Sequence, residues 1–252
     1  MRYALISDIH ANLPALQAAL KDIGGKSDVE GIYHLGDLVG YAPWPNETVE
    51  LLRQSGIPGI AGNYDSTVGT DYKHCGCKYE NPLQEEQSHL SYQWTRKHVT
   101  PETKKYLAGL PFRIELKPLG GHVSSPTLIL VHGTPTLNTV YWTEDRPDSF
   151  CLQMAKIAGA KAGDAIAFGH THKPWHRVVE GIHFVNTGSV GKPKDGNWRA
   201  GYVLMTMTDK AAEVSFMRVE YDLDAATKGI AASELPAAFA DQLRTGGAPR
   251  TD

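Results

Sequence analysis

Five short apolar segments of this chain run directly into an Asp, an Asn or a His, most of them beside a glycine. YALIS leads to Asp8 and His10, IYHLG to Asp37, IPGIAG to Asn63, LILV to His132, and AIAFG to His170 and His172. In open α/β sheets, ligands bind just beyond the carboxyl ends of the strands. The pattern therefore sends seven oxygen and nitrogen donors towards one crevice.

The remaining elements fit such a sheet. Tyr3–Ser7 reads as a strand and Asn12 as a helix N-cap, followed by Leu13, Leu16, Leu20 and Ile23 at helical spacing. A strand over Gly31–Leu35, a helix over Pro45–Ser55 and a strand over Ile57–Ala61 continue the alternation that marks a parallel sheet. From Gly69 to Leu110 the pattern turns helical. One helix is expected over Pro82–His98, with Leu83, Leu90 and Trp94 as its apolar stripe, and another after Thr100-Pro101. Strands return at Phe112–Leu116 and Thr127–Val131, joined through Gly120-Gly121, before a helix over Ser149–Ala160. Short strands at Ala165–Phe168, Arg177–Val179, His183–Val185, Tyr202–Met207 and Glu213–Val219 are spaced for antiparallel pairing. The expected fold is mixed α/β, as one mixed sheet or two sheets face to face. A single domain is expected over residues 1–221 with a helical insertion at 69–110, then one Ala-rich helix and a flexible tail, GGAPRTD, within 222–252.

Composition narrows the function classes. The 252 residues include 25 Lys+Arg against 28 Asp+Glu, and a net charge of −3 argues against an extended nucleic-acid surface. The longest apolar run, near Leu128–Val131, is far below the ~20 residues that cross a bilayer, so no membrane partner is expected. MRYALISDIH reaches Asp8 and His10 too early for the apolar region of a signal peptide. Three cysteines offer no disulfide framework and suit a reducing compartment, which makes a cytoplasmic protein the expectation.

Two Asp, one Asn and four His form a donor set without thiolates, which suits Mn, Fe, Zn, Co or Ni better than Ca or Mg. Seven donors exceed one tetrahedral centre and match two divalent or trivalent transition-metal ions that share one carboxylate. Two ions about 3.5–4 Å apart generate a hydroxide nucleophile at neutral pH and clamp the oxygens of an in-line displacement at phosphorus. Singly, each piece has a plainer reading: Gly-Asn as a turn, or His132 as a hydrogen-bonded histidine at a strand end. Their joint occurrence at five strand ends carries the metal reading.

In that order, DIH, GDLVG, GNYD, VHG and GHTH resemble the motif series of the calcineurin-like metallophosphoesterases, and the resemblance spans Met1 to Val219. It implies two mixed β-sheets packed together, with helices on both outer faces. It also implies that Asp8, His10, Asp37 and His172 hold one metal, and that Asp37, Asn63, His132 and His170 hold the other, with Asp37 bridging. A metal-bridging hydroxide would then attack a phosphodiester, phosphomonoester or phosphoanhydride, so the implied partner is a small phosphate ester or nucleotide. GYAPWPNE and NTGSVG are similar to segments of smaller bacterial and archaeal phosphodiesterase-type members. The competing expectation is a binding or scaffold module that keeps the fold with a weak or empty metal site.

One position departs from the series. The family places a histidine after Gly-Asn, where it protonates the leaving alkoxide or steadies the phosphate; this chain has Tyr64. A phenol, with an ordinary pKa near 10, is a poor proton shuttle at neutral pH. General acid catalysis is worth ~10²–10⁴-fold, so activated esters are the expected preference unless His74 or His89 takes over the proton. Lys192, Lys194 and Arg199 form the basic cluster nearest a motif, and Lys194 or Arg199 is the expected phosphate contact. The His74-Cys75-Gly76-Cys77 run has too few partners for a closed zinc site and reads as a loop near the site mouth.

Overall fold

The computed structural model describes residues 1–77, 79, 81–117, 125–208 and 212–248. The expected Gly120-Gly121 connection and the tail beyond Ala248 lie outside the described residues. The strands are β1 (Arg2–Ile6), β2 (Gly31–His34), β3 (Ile114–Leu116), β4 (Leu128–Leu130), β5 (Ala165–Phe168), β6 (Trp175–Val179), β7 (Ile182–Asn186), β8 (Ala200–Met207) and β9 (Ala212–Val219). The helices are α1 (Leu13–Gly24), α2 (Pro45–Gln54), α3 (Asn63–Gly69), α4 (Pro82–His98), α5 (Pro101–Ala108), α6 (Asp148–Ala158), α7 (Leu223–Ala231) and α8 (Ala238–Thr245).

The strands build two mixed sheets, ordered β2-β1-β8-β9 and β3-β4-β5-β7-β6. β1 runs parallel to β2, with Leu5 opposite Tyr33, while β8 and β9 run antiparallel. In the second sheet β4, β5 and β7 are parallel, with antiparallel β3 and β6 at the edges. Strand alternation divides β1 between two cores. Leu5 joins Leu35, Val203 and Met205 against Leu128, Leu130, Ala167 and Val185 of the other sheet. Ala4 and Ile6 point the opposite way, into a layer with Leu16 of α1, Leu52 of α2, Ile230 of α7 and Phe239 of α8. On the far side, Met154 and Ala155 of α6 pack with Trp142, Phe168 and Phe184. Helices thus cover both outer faces of a two-sheet sandwich. Each large apolar side chain buried in these layers contributes about 1.5–3 kcal/mol.

Several elements differ from the sequence reading. Ile57–Ala61 is not a strand: it makes one bridge, His34 to Gly59, Pro58 has no N–H to offer, and Ala61 N donates to the Pro111 carbonyl at 2.8 Å. In α4 two members of the expected stripe, Leu83 and Leu90, are exposed while Trp94 is partly buried against the core, and Ser88, Ser91, Tyr92 and Thr95 are buried beside it. That polar face is held by hydrogen bonds, because Ser91 Oγ accepts from Tyr41 N (2.8 Å) and Ser88 Oγ pairs with the Tyr41 hydroxyl (2.9 Å). The segment after residue 221 forms two helices, α7 and α8, rather than one. The first residue of the supposed tail is fixed, since the Gly246 carbonyl accepts from Gly196 N at 3.0 Å. Cys75 and Cys77 are paired as a disulfide across Gly76, whose φ of +71° makes the turn, an isolated local pair rather than a disulfide framework. Among the described residues, no helix is long and apolar enough to cross a membrane.

Candidate metal centre

The parallel strands of both sheets deliver their carboxyl ends to one edge of the sandwich, and the loops there carry the donors. Asp8 and His10 follow β1, Asp37 follows β2, His132 follows β4, and His170 and His172 follow β5. Asn63 opens α3. None of the seven is more than 4% exposed. Five of them occupy left-handed backbone: Asp8 (φ 51°), His10 (50°), Asp37 (53°), His170 (66°) and His172 (60°). Non-glycine residues seldom adopt this region, and each such residue stores about 1–3 kcal/mol of strain that its surroundings must hold in place.

Those surroundings are a mesh of hydrogen bonds. Asp8 N donates to the Gly36 carbonyl and His10 N to the Asp37 carbonyl, both at 3.0 Å. Asp65 joins two loops, its Oδ1 accepting from Leu38 N and its Oδ2 from Gly62 N, both at 2.9 Å. Asn186 Nδ2 donates to the Gly169 carbonyl (2.8 Å) and Thr171 Oγ1 (2.9 Å), which ties the GHTH loop to the end of β7. Ser189 Oγ donates to the Asp8 carbonyl at 2.7 Å. A Cβ on Gly62 would overlap Asp37, and one on Gly169 would overlap Ser7 and Asp8.

The donors gather in two groups, Asp8–His10–His172 and Asp37–His132–His170. Asp8 Oδ1 lies 3.3 Å from His172 Nε2 and 3.9 Å from His10 Nε2. Asp37 Oδ2 lies between the groups, 3.4 Å from His132 Nε2 and 3.8 Å from His10 Nε2. The pocket-facing amide atom of Asn63 is 3.0 Å from His170 Nδ1, 3.2 Å from His132 Nε2 and 3.3 Å from Asp37 Oδ2.

This cluster is short of protons. His10, His132 and His172 place Nδ1 against the carbonyls of Val39 (3.0 Å), Leu35 (2.7 Å) and Lys192 (2.5 Å), which commits Nδ1–H to the backbone and turns each Nε2 lone pair inward. The Nε2 atoms of His10 and His172 nevertheless face each other at 3.1 Å. Asp8 Oδ1 and His170 Nε2 are buried with no hydrogen-bond partner. The Asn63 amide serves the pocket in either orientation: with its oxygen inward, Nδ2–H donates to the Cys75 carbonyl (3.4 Å) and Cys77 Sγ (3.2 Å), and with its nitrogen inward it donates to His170, His132 and Asp37, the protonated stand-in for a ligand oxygen. Acceptors aimed at acceptors repel unless cations stand among them, so the residues fit metal ions. The titration directions agree for three of the four imidazoles, His10, His170 and His172. Burial pushes His10 and His170 down to about 3 and His172 well below its ordinary value, and neutral imidazole is the form that binds metal. Burial opposes the charge on Asp37, yet His132, His10 and His170 hold its carboxyl below the usual carboxylate range. His132 shows the local demand for positive charge: burial lowers it, but Asp37 and Asp8 push it up to about 9.

The other candidates are placed differently. The Tyr64 hydroxyl points into an aromatic cluster and donates to the Ser88 carbonyl at 3.4 Å; the ring meets His10 edge-on with centroids 5.7 Å apart, and the backbone N–H donates to Asp37 Oδ1 at 2.9 Å. Burial, with Tyr41 close by, raises its pKa well above 10. His74 and His89 line a separate groove beside Glu85 and Glu86. Lys194 lines the cleft next to the centre, whereas Arg199 is exposed with Nε donating to Asn197 Oδ1 at 3.2 Å. Residues the sequence reading did not single out include Asp65, Asn186 and Tyr141. Asp65 sits within GNYD and Asn186 begins NTGSVG, so both were within reach; the stacking of Tyr141 on His170 (centroids 4.4 Å apart) left no sequence signal.

A two-sheet sandwich with helices on both faces and a buried His/Asp/Asn centre at its strand ends defines the metallophosphoesterase class. Residues 1–210 match the family model of the calcineurin-like phosphoesterase superfamily domain, and the chain belongs to that superfamily. An uncharacterized protein of Methanocaldococcus jannaschii is 32% identical over 259 residues, covering 96% of this chain and 97% of that protein. A metallophosphoesterase from Sphaerobacter thermophilus superposes with a TM-score of 0.73 at 28% identity, over 98% of this chain and 99% of that one. A hypothetical protein from Pyrococcus horikoshii OT3 shares the fold, with a TM-score of 0.81 at 24% identity over 98% of both chains.

Proposed function

We propose that this chain is a metal-dependent phosphoester hydrolase. Asp8, His10, Asp37 and His172 would hold one transition-metal ion, and Asp37, Asn63, His132 and His170 a second. The observation that carries this reading is the inward-facing set of lone pairs, above all the opposed Nε2 atoms of His10 and His172 at 3.1 Å. A scaffold has no use for such an arrangement, because leaving buried acceptors unpaired costs about 1–3 kcal/mol each.

Bound there, the ions would supply a water-derived nucleophile at neutral pH and neutralise charge on the phosphate. The chain's own residues have separable tasks. The Val39, Leu35 and Lys192 carbonyls fix the tautomers of three imidazoles, and Asp37 is the carboxylate within reach of both groups. The Tyr64 N–H holds Asp37 Oδ1 in place. With the Tyr64 hydroxyl turned to Ser88, and His74 and His89 in another groove, the site favours esters whose alcohol departs without a protein-borne proton.

The test is metal analysis together with turnover of bis-p-nitrophenyl phosphate after Mn is added back. About two ions per chain, with turnover abolished by Asp37→Ala, is the expected result. A chain that takes up no metal and turns over no ester is the scaffold instead.

A further inference from the structure

Cys75 and Cys77 are bonded across a single residue, a span too short to restrain much of the unfolded chain. Such a pair adds little as a staple, and its two sulfurs have different surroundings. Cys75 is 1% exposed, with its Sγ 3.3 Å from the Tyr79 hydroxyl. Cys77 is half-buried and lines the groove of about 650 Å³ that also holds His74 and His89. A reagent in that groove therefore meets Cys77 first.

The same pair touches a donor of the metal centre. Asn63 Nδ2–H donates to the Cys75 carbonyl at 3.4 Å and to Cys77 Sγ at 3.2 Å. A carbonyl and a disulfide sulfur carry no hydrogen, so both hold the amide nitrogen outward and leave its oxygen for an ion. A thiol at Cys77 also has an S–H to donate. Donated to the amide oxygen, it favours the opposite orientation, in which Nδ2–H points at His170 Nδ1, His132 Nε2 and Asp37 Oδ2. That orientation puts protons on metal-facing acceptors and offers an ion no amide oxygen.

Resting on the hydrolase reading above, we propose that Cys75 and Cys77 form a thiol–disulfide site that sets the orientation of Asn63 and so the hold on the ion beside it. The reaction partner is a dithiol. Its thiolate attacks Cys77 Sγ, the Cys75–Cys77 bond breaks, and Cys75 leaves with the Tyr79 hydroxyl beside it. The second sulfur of the dithiol then displaces Cys77 from the mixed disulfide. The reductant departs as its own disulfide, and its two hydrogens stay on Cys75 and Cys77. A disulfide oxidant such as oxidised glutathione runs the exchange in reverse and leaves as two thiols.

The test compares the full chain oxidised with glutathione disulfide and reduced with dithiothreitol, each freed of reagent under argon. Thiol titration should find two further thiols in the reduced chain, and finding none overturns the proposal. The calorimetric Kd for Mn at one site should rise about tenfold on reduction and return on reoxidation. Cys77→Ser, whose hydroxyl donates as a thiol does, should keep the weaker Kd under both treatments. Asn63→Asp presents an oxygen in either orientation, so its Kd should not respond to the dithiol. An equal wild-type Kd in both states, a response that persists in Asn63→Asp, or a Cys77→Ser chain with the tighter Kd overturns the proposal and leaves the hydrolase reading standing. A chain that takes up no Mn in either state retires the hydrolase reading, and this proposal with it.

Discussion

Tyr64 reaches Asp37 through its backbone and not through its phenol: Tyr64 N–H donates to Asp37 Oδ1 at 2.9 Å, while the hydroxyl donates to the Ser88 carbonyl at 3.4 Å. The residue that replaces the family's histidine is therefore a positioning element beneath the centre. Its ring is 1% exposed and packs near Tyr41 and Tyr92. Tyr64→Phe keeps the N–H and the packing, so turnover of an activated ester should stay within about threefold, less than a general acid contributes. Tyr64→Ala should cost about 3–5 kcal/mol in a urea unfolding titration. A Phe variant with turnover down by two orders of magnitude would return the hydroxyl to the chemistry.

Metal should stabilise the fold. Cations that bind only the folded chain add about 4 kcal/mol at a thousandfold excess over Kd, which in a chain of this size raises Tm by roughly 8–16 °C. The rise should appear on adding Mn to chelated protein and be smaller in His172→Ala, which loses a ligand to one of the two proposed ions. Equal rises in both would place the stabilising ion elsewhere.

Gly169 should be intolerant of even one methyl group. An added Cβ would overlap Ser7 and Asp8, whose Oδ2 also accepts from His170 N at 2.9 Å. Gly169→Ala should lower stability by about 1–3 kcal/mol through overpacking and weaken metal binding by about 10–100-fold, the usual penalty for disturbing groups that orient ligands. Metal titration monitored by Tm separates the two effects. Unchanged affinity would show that Asp8 is free to move.

His34 predicts a pH dependence that is independent of the centre. Its ring is fully buried with no hydrogen-bond partner on either nitrogen, and burial pushes its pKa down to about 3. The unfolded chain, with an ordinary histidine, binds more protons between about 6.5 and 3, so stability falls as pH drops through that window. At about pH 5 the expected loss is on the order of 2 kcal/mol relative to neutral pH. His34→Leu should remove this share of the acid sensitivity. Parallel unfolding curves at about pH 8 and pH 5 check it, and an unchanged pH difference would mean that the ring finds a proton acceptor.

The donors were legible because chemistry and topology coincide at strand ends. Asp8, Asp37, His132 and His170 each come directly after an apolar run, and neighbouring parallel strands deliver their carboxyl ends to the same edge of a sheet. Elements whose logic is tertiary were not legible. The buried face of α4 is made by Ser88 and Ser91 because Tyr41 offers hydrogen bonds there, a partner distant in sequence. Asn63 begins α3 where a Gly-Asn pair reads as a turn, since the cap comes from Asp65 accepting Gly62 N. Ile57–Ala61 has strand composition but only one bridging partner. The Cys75–Cys77 pair depends on a glycine turn that composition does not reveal.

The left-handed torsions at Asp8, His10, Asp37, His170 and His172 narrow how this centre can be re-engineered. Asp, Asn, His and Gly enter that region at modest penalty, whereas β-branched or bulky replacements are outliers there. Retuning selectivity by exchanging ligands therefore has a small alphabet: a graft designed only for its side-chain chemistry would also have to fit a mirror-handed bend of the main chain.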